Sequence, residues 1–181
     1  MMLAHMTLAR GRARVRLCLT SASPIMTTFP ADRELVLDRY LPFPPERVYQ
    51  AWTDPVLMVD WFTPAPWKTA KVETDVRAGG SSYIEMHGPN GEVMPNRGVY
   101  LEVVPNRKLV FTDAFTEAWA PSEKAFMLAE LTFTPEGEGT RYVARVRHWS
   151  TADREAHAQM GFEPGWNAAA DQMVALLTRL G

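Results

Sequence analysis

The chain has 181 residues, 46% of them hydrophobic and 22% charged, with 14 Pro and a single Cys. These proportions fit one globular domain and exclude a collagen, a coiled coil or a disordered chain, and no stretch approaches the roughly 20 uninterrupted apolar residues that a bilayer span needs, so no integral membrane contact is expected. The net charge of -2 conceals an uneven distribution, because Arg10, Arg12, Arg14 and Arg16 stand in the first 31 residues without an acid and leave 15 basic against 21 acidic residues beyond them. A nucleic-acid binder presents a concentrated basic face; this balance is the opposite, and no nucleic-acid partner is expected. Cys18 has no partner in the chain, which rules out an intrachain disulfide and a Cys-rich zinc pattern and fits a reducing, cytoplasmic setting.

Residues 1–31 read as a basic N-terminal extension. The expectation is a start-site artefact, with Met26 as the biological start, or a disordered arm. A targeting peptide is the third reading, and a secretory signal fits poorly because Arg16, Thr20 and Ser21 break the apolar run from Val15. Residues 32–181 contain no linker or repeat and read as a single domain. Glu34 to Leu41 alternates like a strand with one largely apolar face and ends at Pro42. Pro44 and Pro45 suit a first helical turn, and Val48, Tyr49 and Trp52 recur at helical spacing. Asp54-Pro55 signals a second short helix whose buried stripe is Leu57, Met58, Trp61 and Phe62. Six strand-like runs follow: Lys68 to Val76, Ser81 to His87, Val93 to Val104, Leu109 to Phe115, Phe126 to Thr134 and Thr140 to Trp149. Turn chemistry separates them at Gly79-Gly80, Pro89-Asn90-Gly91, Pro105-Asn106 and Glu136 to Gly139, which predicts an antiparallel meander, with Thr116 to Lys124 as a loop. Thr151 to Met160 predicts a helical stretch capped by Thr151. From Gly165 the period changes: Trp166, Ala170, Met173, Leu177 and Leu180 form the stripe of an amphipathic helix.

The predicted fold is α+β: one strand, two short helices, a six-strand meander and a long C-terminal helix. A curved sheet and a straight helix touch at their ends and part in the middle, leaving room for a small molecule. Side-chain alternation assigns the lining of that space. It places Ile84 and Met86 inside on one strand, and Val99, Leu101 and Val103 on the next. Met127, Leu131 and Phe133 follow, then Tyr142 and His148 opposite three outward Arg. Leu109 to Phe115 is apolar on both faces, so alternation does not decide there, and Phe111 is carried as its candidate. Trp61 and Phe62 from the second helix and Met160, Trp166, Ala170 and Met173 from the C-terminal region complete the candidate binding set.

Chemistry-bearing residues are sparse. His148 could exchange protons with a bound molecule, with Asp113 or Tyr142 as a partner, although a histidine on an apolar face is more often a hydrogen-bonded part of the core. Glu130 and His157 are further titratable candidates, and no spacing among these residues identifies a dyad. The four histidines show no metal-ligand spacing, so no metal is expected. Gly79-Gly80 precedes a strand and reads as a turn, not a phosphate cradle, and no dinucleotide fingerprint, P-loop or Gly-x-Ser-x-Gly elbow occurs; no cofactor is expected.

Several segments together carry a resemblance: Ala51-Trp52-Thr53-Asp54-Pro55 running to Trp61-Phe62, Gly79-Gly80, Gly88-Pro89-Asn90-Gly91, Asn96 to Pro105, Leu109 to Thr112, Met160-Gly161-Phe162 with Gly165-Trp166, and Asp171-Gln172-Met173. In this order they resemble the homologues of the activator of heat-shock protein 90 ATPase, within the START-like, helix-grip SRPBCC superfamily, over about Glu34 to Leu180. The resemblance implies a helix-grip fold, in which a seven-stranded antiparallel sheet wraps a long C-terminal helix around a hydrophobic pocket. It implies no single activity, because relatives bind lipids, hormones or polyketides and some are cyclases or dehydratases. The eukaryotic activator has a separate N-terminal domain for much of its chaperone contact, and Met1 to Ala31 is too short to be it, so chaperone activation is not expected. The functional expectation is binding of a hydrophobic or amphipathic small molecule. One alternative is a cyclase, dehydratase or hydrolase using the same cavity; another is an interaction or chaperone-associated domain, such as a homodimer formed through a sheet edge or the Trp119 loop.

Overall fold

The computed structural model describes residues 29–181, so the expectations for the basic extension up to residue 28 lie outside the described residues. The chain enters the fold through a short 3-10 turn, Ala31–Arg33, and strand β1, Glu34–Leu41. Helices α1, Pro45–Thr53, and α2, Pro55–Trp61, follow at once. Pro45 occupies the first turn of α1, where its missing amide is no loss, and Val48, Ala51 and Trp52 are buried along one face. Asp54 ends α1 and starts α2, its carboxylate accepting the Val56 amide at 2.9 Å. One carboxylate thereby caps the turn between two helices that both face the sheet.

The meander comprises β2, Lys68–Thr74, β3, Ser81–His87, β4, Val93–Val104, and β5, Lys108–Thr112; then β6, Phe115–Glu117, and β7, Ala120–Pro121; then β8, Met127–Glu136, and β9, Gly139–His148. Seven strands form one antiparallel sheet in the order β1-β9-β8-β5-β4-β3-β2. The segment expected as a loop at Thr116 to Lys124 holds the separate β6–β7 hairpin instead. There the Trp119 ring meets Phe115 edge-on, with centroids 5.8 Å apart, yet Trp119 stays 64% exposed.

After β9 come helix α3, Thr151–Gln159, and helix α4, Phe162–Leu180. The cap of α3 is Ser150, not Thr151: its Oγ accepts the Asp153 amide at 3.1 Å and donates to the Asp153 carboxylate at 2.6 Å. This reciprocal arrangement needs the residue before the first helical one. Helix α4 begins a turn earlier than its apolar stripe suggests. Gly161 takes the left-handed conformation, φ 92°, that closes α3 and lets α4 start at Phe162, and the Gly165 amide already bonds back to the Gly161 carbonyl at 2.9 Å. Nineteen residues give α4 a length of about 28 Å.

The core lies between the sheet and the helices. Leu37, Leu41, Val48, Trp52, Trp61, Leu109, Leu131, Phe133, Tyr142, Met173 and Leu177 belong to one buried cluster. A smaller cluster of Leu35, Ala129, Val146 and Phe162 lies under the α3–α4 junction. Polar ties set the position of α4. Gln172 donates to the carbonyls of Trp61 (2.8 Å) and Thr63 (2.9 Å) and accepts the Ala65 amide (3.2 Å), while Arg39 on β1 donates to Asp171 at 2.7 Å and to the Asn167 carbonyl at 3.0 Å. Among the described residues no helix is long and apolar enough to cross a membrane.

Candidate functional site

Between the concave face of the sheet and α4 lies a cavity of about 600 Å³. Its wall draws on almost every element: Trp52 from α1, Trp61 and Phe62 from α2 and its end, Ile84 and Met86 from β3, Phe111 from β5, Met127 from β8 and Tyr142 from β9. Helix α4 closes the far side with Trp166, Ala170 and Met173, and the α3–α4 junction adds Met160. Gly98 on β4 also borders the space, and a Cβ there would stand 2.6 Å from the Thr112 carbonyl oxygen, so only glycine lets β4 lie this close to β5. Exposed Met94, Lys124 and Met160 place the opening at the side of β4, the β7–β8 segment and the end of α3.

The inner wall is aromatic. Trp52 is its centre, with Trp61 edge-on at 4.8 Å, Phe62 at 5.8 Å, Phe111 at 6.3 Å, Tyr142 at 6.2 Å and Trp166 at 6.4 Å between centroids. Trp61 is itself pinned by its indole N–H donating to the Ala51 carbonyl at 3.0 Å. The Trp52 indole N–H is buried and has no acceptor among the described residues. Tyr142 is fully enclosed and its phenol is pushed well above the ordinary value by burial; the nearby Trp52 N–H, which does not complete a hydrogen bond, works weakly the other way. Tyr142 therefore stays a neutral phenol.

Six of the expected lining residues, Val99, Leu101, Val103, Leu131, Phe133 and His148, do not border the cavity, and Val99 and Phe133 are instead wholly buried in the packed interior. Leu101 lies at a register shift in β4, between Tyr100 and Glu102 opposite β5. The bulge exchanges the faces, so Tyr100 and Val103 join the core while Leu101 reaches neither core nor cavity. Leu131 points inward as expected but is wholly buried in the core, away from the open space. His148 is inward and only 2% exposed, yet it is set behind the cavity wall.

The partner of His148 is a residue that sequence reasoning did not connect to it. His148 Nδ1 faces the Arg33 carbonyl oxygen at 3.1 Å and Nε2 faces His157 Nδ1 at 2.9 Å. A carbonyl only accepts, so His148 carries its proton on Nδ1 and donates it to Arg33. Its Nε2 is then a lone pair, and His157 must donate to it from Nδ1. Both imidazoles are neutral: burial lowers the pKa of His148 against the opposing pull of the Arg33 carbonyl, and burial together with the neighbouring His148 lowers that of His157 to about 4. His157, unlike His148, borders the cavity, between Phe126 and Phe162 with both ring centroids 5.1 Å away. A nine-residue gap between a strand end and the next helix carries no recognisable spacing, which hides the pair in the sequence.

Asp113 also borders the cavity, but one carboxylate oxygen accepts the amides of Phe126 (2.9 Å) and Met127 (3.0 Å), fastening the start of β8. Glu130 pairs with Arg147 on the sheet at 3.2 Å. No hydrogen bond joins His148, Asp113 and Tyr142 to one another among the described residues. The described residues likewise hold no cluster of metal-ligating side chains.

A seven-stranded antiparallel sheet curved around a C-terminal helix, with an apolar hollow between them, defines a helix-grip protein. The sequence matches the family described as "Activator of Hsp90 ATPase homolog 1-like protein" over residues 42–178, and the chain belongs to that family. It resembles the solved structure of protein NE0264 from Nitrosomonas europaea at 34% identity, with a TM-score of 0.81 over 83% of this chain and 97% of that one. Similar folds occur in CV1439 from Chromobacterium violaceum (28% identity, TM-score 0.64, 79% and 96% covered) and in Ms6760 from Mycobacterium smegmatis (25%, 0.69, 81% and 91%). No curated protein shows a significant match.

Proposed function

We propose that the chain binds a hydrophobic or amphipathic small molecule, of the lipid or flat aromatic kind, in the cavity between the sheet and α4. The observation that supports this reading is a hollow of about 600 Å³, within the range of about 300–1,000 Å³ typical of ligand pockets, whose inner wall is built from Trp52, Phe111, Tyr142 and Trp166. A close-packed interior does not leave such a volume. A guest of indole size buries about 150–250 Å², which at roughly 25 cal/mol per Å² amounts to about 4–6 kcal/mol before the loss of its free motion is subtracted. Apolar contact alone thus gives weak binding, about 0.04–1 mM at best, and the polar groups on the wall decide affinity and identity.

The test is displacement of 1-anilinonaphthalene-8-sulfonate from the native protein by saturated fatty acids and by flat aromatic compounds. Saturable fluorescence enhancement with one probe per chain, reversed by a competitor, is the expected result. Absence of any saturable probe binding to the folded chain would overturn the reading.

A further inference from the structure

Resting on that reading, the geometry points to a hydroxyl-bearing aromatic guest: we propose that its O–H donates to His157 Nε2 while its ring packs among Phe126, Phe162 and Trp166. The assignment follows from the order of protons along the imidazole pair. The Arg33 carbonyl fixes the proton of His148 on Nδ1, and His148 Nε2 in turn fixes that of His157 on Nδ1. What remains on His157 is the Nε2 lone pair, an acceptor with no donor among the described residues. The Nδ1 atom of His157 is turned to His148, which lies behind the wall, and His157 itself borders the open volume.

The surroundings select what comes to that lone pair. Phe126 and Phe162 flank the His157 ring, and Phe162 leads on to Trp166 at 5.1 Å. A flat ring carrying one O–H satisfies both the aromatic wall and the acceptor. A carboxylate or other anion brings no proton to give. The low pKa of His157, set first by burial and then by His148, keeps the lone pair available at neutral pH. His148 touches no part of the cavity and acts as a positioning residue, holding the His157 ring in its tautomer.

The experiment compares 2-naphthol with 2-methoxynaphthalene, which has the same ring and no O–H, by titration into the full chain at neutral pH. The expected result is a preference of about three- to tenfold for 2-naphthol, the worth of one hydrogen bond. In His157→Leu that preference collapses to unity. A second measurement needs no variant. In long-range 1H–15N spectra of the wild-type chain, the His157 Nε2 resonance shifts on addition of 2-naphthol and does not shift with 2-methoxynaphthalene. Equal affinity of the two compounds for the wild type, or an unmoved Nε2 resonance with 2-naphthol bound, overturns the assignment while leaving cavity binding intact. Binding of neither compound also overturns the assignment, while cavity binding itself stands or falls separately on displacement of the fluorescent probe by fatty acids.

Discussion

His148 and His157 show how two ordinary residues gain an environment that neither has alone. In the unfolded chain each titrates near its usual value of about 6.5, whereas in the fold both are harder to protonate. Between the two values the unfolded chain binds more protons, so stability is full above about pH 6.5 and declines as pH falls towards about 4. On His148 the Arg33 carbonyl, Asp153 and Asp113 favour the proton and Arg154 disfavours it, with burial outweighing them, whereas on His157 only burial and His148 act, both against the proton. Urea unfolding of the wild type and of His157→Leu at neutral and mildly acidic pH checks this. The wild type is expected to lose more of its midpoint on acidification than the variant, and equal losses would assign the acid sensitivity to carboxylates. Residue-scale reading of the sequence reached His148's inward face, because strand alternation is a two-fold rule with no further input. Its separation from the cavity depends on where α3 returns over the end of β9, which alternation does not encode.

At the scale of elements, local chemistry marks most boundaries: Pro45, Pro55, the turn glycines and the apolar stripe of α4 each act within a few residues. What escaped were features created by pairing. The β4 bulge that turns Leu101 away is defined against β5, and β6–β7 is a hairpin only because its strands find each other. Gln172 is another such feature, a polar residue one position from the buried stripe of α4 that joins the helix to residues 61–65 through three hydrogen bonds. Gln172→Leu leaves two carbonyls and an amide without these partners and is expected to cost about 1–3 kcal/mol in urea unfolding. A change within about 0.5 kcal/mol would be that of an ordinary surface site and would show that the α4 register does not depend on it.

On the scale of the whole molecule, the sheet and α4 share one buried cluster that includes Leu131, Phe133, Met173 and Leu177, whereas Trp166 borders the hollow. Leu131 and Trp166 therefore behave differently when truncated. Leu131→Ala removes a fully buried side chain and is expected to cost about 2–5 kcal/mol. Trp166→Ala falls short of the roughly 3–5 kcal/mol of a fully buried tryptophan, because the ring is half-buried and one side faces empty space. Thermal or urea unfolding of the two variants separates the packed end from the open one; equal costs at the full tryptophan value would mean that the ring is enclosed on all sides.

The central claim is that the grip between sheet and helix stays hollow and admits a flat apolar guest. Its most direct test is the anomalous scattering of bromine from a crystal of this chain soaked with 2-bromonaphthalene. The expected result is a bromine peak between the sheet and α4, within contact of Trp52, Phe111 or Trp166. Density showing those side chains collapsed together, with no bromine among them, would contradict it.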